Sequence, residues 1–218
     1  MRDRTPITII FDFDGTLADT LDVIVTITND LAEEFGYPAV EYDDVTELQN
    51  MSSWDIIRRS GVSIFKIPKL LRRVREELRD NLSAIALFPG VLRAILDLKY
   101  EGYKLYIITS NSKENVELVL KQEGVLEQFD GICSESSLFG KHHIINRLIE
   151  REKIDKRYAI YMGDETRDID AAKKAKVNSV AVTWGFNSVD SLVKHHPDRI
   201  IDSPDDIPAV VLSFLLLR

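Results

Sequence analysis

The chain is poor in cysteine, in long apolar runs and in positive charge, and each shortage removes a class of function. A single cysteine, Cys133, allows no internal disulfide, which suits a reducing compartment such as the cytoplasm. Placed after a short apolar strand, that thiol reads as a small core residue and not as a nucleophile. The longest apolar stretch, Ala209 to Leu217, is interrupted by Ser213 and falls far short of the roughly 20 residues a membrane span requires. It reads as a C-terminal helix docked on the core, with a dimer contact as the alternative. The apolar N-terminal run contains Asp12 and Asp14, which argues against a signal peptide. A formal net charge of -8 over 218 residues argues against a general binder of nucleic acid or anionic membranes. Any phosphate site in so acidic a chain has to be made positive locally, by a metal, a lysine or helix N-termini. With 44% hydrophobic and 29% charged residues, and without low-complexity tracts or repeats, the remaining class is an ordinary globular protein.

Against those absences stands a regular rhythm. Short apolar runs at Ile7–Phe11, Lys104–Ile108, Gly131–Cys133, Tyr158–Met162 and Ser179–Val182 each precede a turn and a helical pattern. The helices read as Val91–Tyr100, Lys113–Glu123, Lys141–Glu150 and Asp168–Lys176. Strands alternating with helices predict an α/β fold, a parallel sheet covered on both faces. Such sheets bind ligands at the carboxyl ends of their strands. One interval breaks the rhythm, because Gly15 to Tyr103 is far more chain than one crossover helix uses. Within it Asp19–Phe35, Asp43–Met51, Trp54–Arg59 and Ile64–Asn81 read as helices. Pro68 limits the last of them, and Leu71, Val74 and Leu78 form its apolar stripe. The interval reads as a helical insertion that sits over the strand ends as a cap and returns at Leu87-Phe-Pro-Gly90. The chain would then divide into an α/β core of residues 1–16 and 86–218 and a helical cap of residues 17–85. Lys66, Lys69, Arg72, Arg73, Arg75 and Arg79 in the cap read as a solvated basic face partnered by Glu76, Glu77 and Asp80. The other reading is an electropositive wall that attracts an anionic substrate.

The residues that carry chemistry stand at strand ends. The run from Ile7 ends in Asp12 and Asp14, two residues apart, so in an extended chain both carboxylates leave one face while Phe13 points into the core. Gly15 follows, where the backbone can turn sharply and approach a ligand. Like charges this close raise each other's pKa unless they share a cation. A hard divalent ion such as Mg2+ meets that need with oxygen ligands. The competing reading is a solvated turn built on Asp14-Gly15. Thr109-Ser110-Asn111-Ser112 enters a helix and offers hydroxyls and backbone N–H groups to an anion, or caps the helix and nothing more. Asp164 follows Gly163 at another strand end. Asp168 comes one turn later, where it also suits the helix dipole. Lys141, after Phe139-Gly140, opens a helix where a lysine opposes that dipole, so a purely structural reason for it is weak.

These motifs, in this order and strand context, resemble the haloacid dehalogenase superfamily of phosphohydrolases, and within it the phosphoglycolate phosphatase-like branch with a helical cap. Asp12-Phe-Asp-Gly-Thr-Leu-Ala-Asp19 corresponds to the first motif, Ser110-Asn111 to the second, Lys141 to the third and Gly163-Asp164-Glu-Thr-Arg-Asp168 to the fourth. Trp184-Gly185-Phe186 also resembles the phosphatase branch. The resemblance covers nearly the whole chain. It implies a Rossmann-like parallel sheet and a Mg2+-dependent phosphatase acting on a small phosphorylated metabolite in the cytoplasm, as a monomer or homodimer. It implies Asp12 as the nucleophile that forms an aspartyl-phosphate, and Asp14 as the group that protonates the leaving alkoxide and then takes a proton from water. It implies Mg2+ on Asp12, on the backbone carbonyl of Asp14 and on Asp164, supported by Asp168. Ser110, Asn111 and Lys141 would hold the phosphate, and Thr16 would orient Asp14 or its loop. Selectivity would come from the cap around Asn50-Met51-Ser52-Ser53-Trp54, with Trp54 read as cap core or as a substrate contact. Two positions depart from the pattern. His142-His143 follows Lys141 where these phosphatases often carry proline, and Glu165 stands where Ser or Thr is common. Adjacent histidines on a helix are expected to diverge, which argues against a histidine metal site. A phosphomutase of the same superfamily is the nearest alternative, and a domain that binds a phosphometabolite or partner without turnover is the non-enzyme one. Dehalogenation needs neither Asp14 nor Asp164, so their presence counts against it.

Overall fold

The computed structural model describes residues 7–134 and 140–216; Phe139 and Leu217 lie outside them. The chain enters on β1 (Thr8–Phe11), passes a two-residue strand β2 (Ala18–Asp19), and runs through α1 (Leu21–Asp30), α2 (Ala32–Phe35), α3 (Tyr42–Gln49), α4 (Ser53–Ser60) and α5 (Ile67–Asp80) to β3 (Ala86–Leu87). Strands and helices then alternate: α6 (Val91–Tyr100), β4 (Lys104–Thr109), α7 (Lys113–Gln122), β5 (Gly131–Ser134), α8 (Lys141–Glu152), β6 (Ala159–Gly163) and α9 (Thr166–Ala175). The chain finishes through β7 (Asn178–Val182), α10 (Val189–Lys194), β8 (Arg199–Ile201) and α11 (Ile207–Leu216).

Six strands pair in parallel in the order β5-β4-β1-β6-β7-β8. β1 lies between β4, with Phe11 opposite Ile107, and β6, with Phe11 opposite Met162. Chain order reverses at β1, so the crevice at its carboxyl end is the topological switch point of the sheet. A parallel strand buried on both faces has to be apolar throughout. In β1, Ile9 and Phe11 join the core on one face and Ile10 joins the core on the other. The first face is covered by Ile95 and Leu98 of α6, Val116 and Leu120 of α7 and Val211 and Phe214 of α11. The second is covered by Ile145 and Leu148 of α8 and Ala171 and Ala172 of α9. The α/β expectation holds, and α11 docks on the core as its composition predicts. Among the described residues no helix is long and apolar enough to cross a membrane.

The helical interval departs from expectation in detail. β2 and β3 pair antiparallel, Ala18 with Leu87 and Asp19 with Ala86, so the chain leaves the sheet and returns to it at one place. The helix expected over Asp19–Phe35 begins at Leu21 and breaks at Leu31. The Thr28 carbonyl, which an unbroken helix would use for the Ala32 N–H, is engaged by the Tyr37 hydroxyl at 2.5 Å. Pro68 sits in the first turn of α5, where its missing N–H is tolerated. Leu70, Val74 and Leu78 face the main core, whereas Leu71 stands outside that cluster.

Candidate active site

Asp12 stands one residue beyond β1, buried, with its N–H bonded to the Met162 carbonyl of β6 at 2.9 Å. Its Oδ1 accepts from the Phe13 N–H at 2.8 Å and its Oδ2 from Lys141 Nζ at 2.5 Å. The same ammonium reaches Asp168 Oδ1 at 2.6 Å. Lys141 opens α8 and is only 4% exposed. Burial pulls its pKa down, but the charges of Asp12 and Asp168 outweigh burial and hold it above the usual lysine value. The lysine that opposes its helix dipole is thus explained by where its side chain ends, between two carboxylates at the edge of β1 and β6.

Asp164 follows β6 and is fully buried. Its Oδ1 accepts from the Thr16 hydroxyl at 2.6 Å and its Oδ2 from the Phe186 N–H at 2.7 Å. Gly15 makes this approach possible: it has φ +76°, and a Cβ there would run into the Asp164 carboxylate. Burial, followed by the charges of Glu165, Asp12 and Asp168, holds the Asp164 pKa well above the ordinary carboxylate range. Thr16, expected to orient Asp14 or its loop, holds Asp164 with its hydroxyl, and its carbonyl accepts the Trp184 indole N–H at 3.0 Å and ties the loop to Trp184-Gly185-Phe186.

Carboxylate oxygens of Asp12, Asp164 and Asp168 lie within 4.8 Å of one another. Three hard oxygen donors of like charge fit a hard divalent cation. Asp168, expected as a supporting residue, stands beside the other two, bonded to Lys141, and its Oδ2 also accepts the Glu165 N–H at 3.1 Å to cap α9. The Asp14 carboxylate is not one of the three; its expected contribution is a backbone carbonyl.

Asp14 is half-buried beside Asp12, and its Oδ1 accepts from Asn111 Nδ2 at 3.1 Å. Burial and the charge of Asp12 push its pKa up to about 6, with Asn111, Thr20 and Lys141 pulling the other way. Asn111, which the resemblance gives to phosphate, has its amide on Asp14 and its Oδ1 on the Ser112 N–H at 2.8 Å and Asn115 Nδ2 at 3.1 Å. Ser110 is half-buried at the end of β4, and its carbonyl accepts from Arg75 Nε at 2.7 Å and from Arg75 Nη2.

The segment expected to set selectivity rests on Asn187, in the loop after β7, and on Glu165, the residue after Asp164. Asn187 Nδ2 donates to the carbonyls of Gln49 and Met51, each at 3.0 Å, while its Oδ1 accepts the Thr166 N–H at 2.9 Å. Ser53 Oγ donates to Glu165 Oε2 at 3.0 Å, and Arg167 Nη2 to Glu165 Oε1 at 2.9 Å. Glu165 thus links the helical interval to the sheet. Trp54 is 41% exposed, which removes it from any cap core. With Ser53, Lys141, His142, Arg167 and Lys174 it lines a cavity of about 530 Å3. The rings of His142 and His143 do not diverge but lie with centroids 3.9 Å apart. Asn187 has no sequence signal near it, since its partners Gln49, Met51 and Thr166 meet it only through tertiary contact.

Residues 9–182 match the family of haloacid dehalogenase-like hydrolases. The chain is 39% identical, over 95% of its own length and 98% of the relative's, to a phosphoglycolate phosphatase of Synechococcus elongatus. It is 25% identical, over 95% of its length and 97% of the relative's, to a pyrophosphatase of Bacillus velezensis. A predicted phosphatase from Clostridium acetobutylicum has the same fold, with a TM-score of 0.83 at 21% identity over 95% of this chain and 99% of the other. The buried lysine and aspartates at the switch point, together with these likenesses, identify the chain as a phosphatase belonging to the haloacid dehalogenase-like hydrolase family.

Proposed function

We propose that the chain is a Mg2+-dependent phosphohydrolase that cleaves a small phosphomonoester of the phosphoglycolate kind through an aspartyl-phosphate on Asp12. In this reading residues 1–16 and 86–218 form the catalytic core, residues 17–85 form a helical cap domain, and the enzyme works in the cytoplasm. The observation that carries it is the Lys141 ammonium between Asp12 and Asp168 beside Asp164. An Asp12 carboxylate oxygen attacks phosphorus while the bond to the leaving oxygen breaks. Asp14, as the carboxylic acid, gives its proton to that oxygen and the alcohol departs. Asp14, now a carboxylate, takes a proton from water as the water attacks phosphorus, and the Asp12–phosphorus bond breaks to release phosphate. Lys141 and Ser110 face phosphate oxygens during both displacements. Asp168 holds Lys141, and Asn111 holds Asp14. Mg2+, held by Asp12, the Asp14 carbonyl and Asp164, supplies positive charge beside the phosphate oxygens. Phosphate release from a panel of phosphomonoesters, with and without EDTA, tests the reading; release untouched by EDTA contradicts the metal.

The cation also has a readout without turnover. Mg2+ at about 100 times its Kd adds about 2.7 kcal/mol if it binds only the folded chain, which is about 5–10 °C in Tm for a domain of this size. Asp164 carries a raised pKa, so protons compete with the ion as pH falls. The gain in a thermal melt is therefore expected to shrink from about pH 8 to about pH 5.

Asp14→Asn is expected to lower kcat by about 100-fold or more on alkyl phosphates and far less on p-nitrophenyl phosphate, whose leaving group needs no proton. Since Asp14 acts first as an acid with a pKa near 6, kcat/KM for alkyl phosphates falls as pH rises past that value. The limb is expected to vanish in Asp14→Asn, and its persistence in a pH profile of the variant would assign it to another group.

A further inference from the structure

The cations of α5 divide into two sets. Lys69 reaches Glu34 at 3.0 Å, Arg73 reaches Glu34 at 2.9 Å and Glu77 at 2.7 Å, and Arg72 reaches Glu76 at 3.7 Å. Those residues form the solvated face that the sequence predicts. Arg75 does not belong to it. Its guanidinium turns toward the sheet and donates through Nε and Nη2 to the Ser110 carbonyl. Its own carbonyl accepts from Asn115 Nδ2 at 3.0 Å, and Asn115 is bonded in turn to the Asn111 that holds Asp14. Ser110 lies as far past Ile107 as Asp14 lies past Phe11, and those two residues are opposite each other in register. Arg75 therefore arrives beside Asp14, whose charge acts on the guanidinium. Thr20, at the N-cap of α1, also lies against Asp14. Its buried hydroxyl has no partner within hydrogen-bond geometry among the described residues.

This placement has a chemical meaning if Asp14 protonates the leaving oxygen. In a phosphorylated 2-hydroxy acid one carbon separates that oxygen from a carboxylate. The group that recognises the carboxylate must then be a near neighbour of the proton donor. A second substrate anion next to Asp12, Asp14, Asp164 and Asp168 is repelled unless a cation stands there. A guanidinium fork also fits a carboxylate with two parallel hydrogen bonds. We propose that Arg75, with the Thr20 hydroxyl beside Asp14, binds the carboxylate of a phosphorylated 2-hydroxy acid and selects that substrate class, an inference that rests on the phosphohydrolase reading above.

The test compares 2-phosphoglycolate with ethyl phosphate, which has a methyl group in place of the carboxylate, in wild type, Arg75→Gln and Arg75→Lys. Wild type is expected to prefer 2-phosphoglycolate in kcat/KM. The preference should fall about 100-fold in Arg75→Gln, the size of a lost charged hydrogen bond, and most of the fall should lie in KM, because the carboxylate is bound alike in the ground and transition states. Arg75→Lys keeps the charge without the fork, so it is expected to lose about 10-fold; it carries the test if circular dichroism shows Arg75→Gln unfolded. A wild type without preference, a variant that loses equally on both substrates, or an unchanged preference in Arg75→Lys overturns the inference and leaves the phosphatase reading standing. A wild type that releases phosphate from no phosphomonoester overturns that reading instead.

Discussion

Asp12→Asn is expected to lower kcat on every phosphomonoester by about 10,000-fold or more, because an amide in place of the carboxylate cannot attack phosphorus. The fold should survive. Asparagine has nearly the same shape, its carbonyl can keep the Phe13 N–H that Oδ1 accepts, and Lys141 keeps Asp168. Removing one carboxylate also relieves the repulsion that helps hold Asp164 above the usual range. The variant should therefore melt at or above the wild-type temperature while turning over almost nothing. Steady-state assays beside a thermal melt check both halves. Wild-type turnover in this variant contradicts the nucleophile assignment.

Lys141→Met carries the largest expected loss of stability. Removing one partner from a buried charge cluster leaves uncompensated carboxylates and costs about 3–5 kcal/mol, which corresponds to a Tm lower by about 6–20 °C in a domain of this size. Activity is lost as well, since the same ammonium faces the phosphate. The pH dependence separates this mechanism from a simple packing defect. Asp168 is raised by burial and pulled back by Lys141, so without the lysine its folded-state pKa climbs further. A carboxyl raised in the folded state costs stability as pH rises from its unfolded pKa through its folded one. The deficit is therefore expected to be small near pH 4 and to grow toward about pH 8, whereas a packing defect is flat. Melts of wild type and variant across that range decide between them.

What was legible in the sequence follows from how local each signal is. β1, β4 and β6 are runs of apolar residues because both faces of a parallel strand are buried, and that pattern survives in one dimension. The buried polar groups are legible for a related reason: Asp12 and Asp164 stand where an apolar run stops, and Lys141 opens a helix whose dipole it opposes. β8 was not legible, since Arg199-Ile-Ile201 is short and its neighbours are polar, and α10 is too brief to show a period. The break at Leu31 depends on Tyr37 reaching back to Thr28, which no helix-ending residue announces.

The partners of site residues were the least legible part. Thr16 reads as orienting Asp14 or its loop, and its hydroxyl reaches Asp164, 148 residues away. Asn111 is given to phosphate by the resemblance, and its amide donates to Asp14, 97 residues away. Asp168 reads as a supporting residue, and the contact through which it reaches the cluster, its bond to Lys141, joins residues 27 apart in sequence. In each case the contact is set by segments distant in sequence that β1, β4 and β6 bring together. Arg75 shows the same limit from the other direction. In sequence it is one of several basic residues on α5, and only its bond to the Ser110 carbonyl, just past β4, separates it from the rest.

Covalent transfer through Asp12 is most directly tested by the stereochemistry at phosphorus, using a substrate made chiral with oxygen isotopes. Each in-line displacement inverts the centre. An aspartyl-phosphate followed by attack of water makes two displacements, so retention of configuration is the predicted result, and inversion, the mark of direct attack by water, would contradict it.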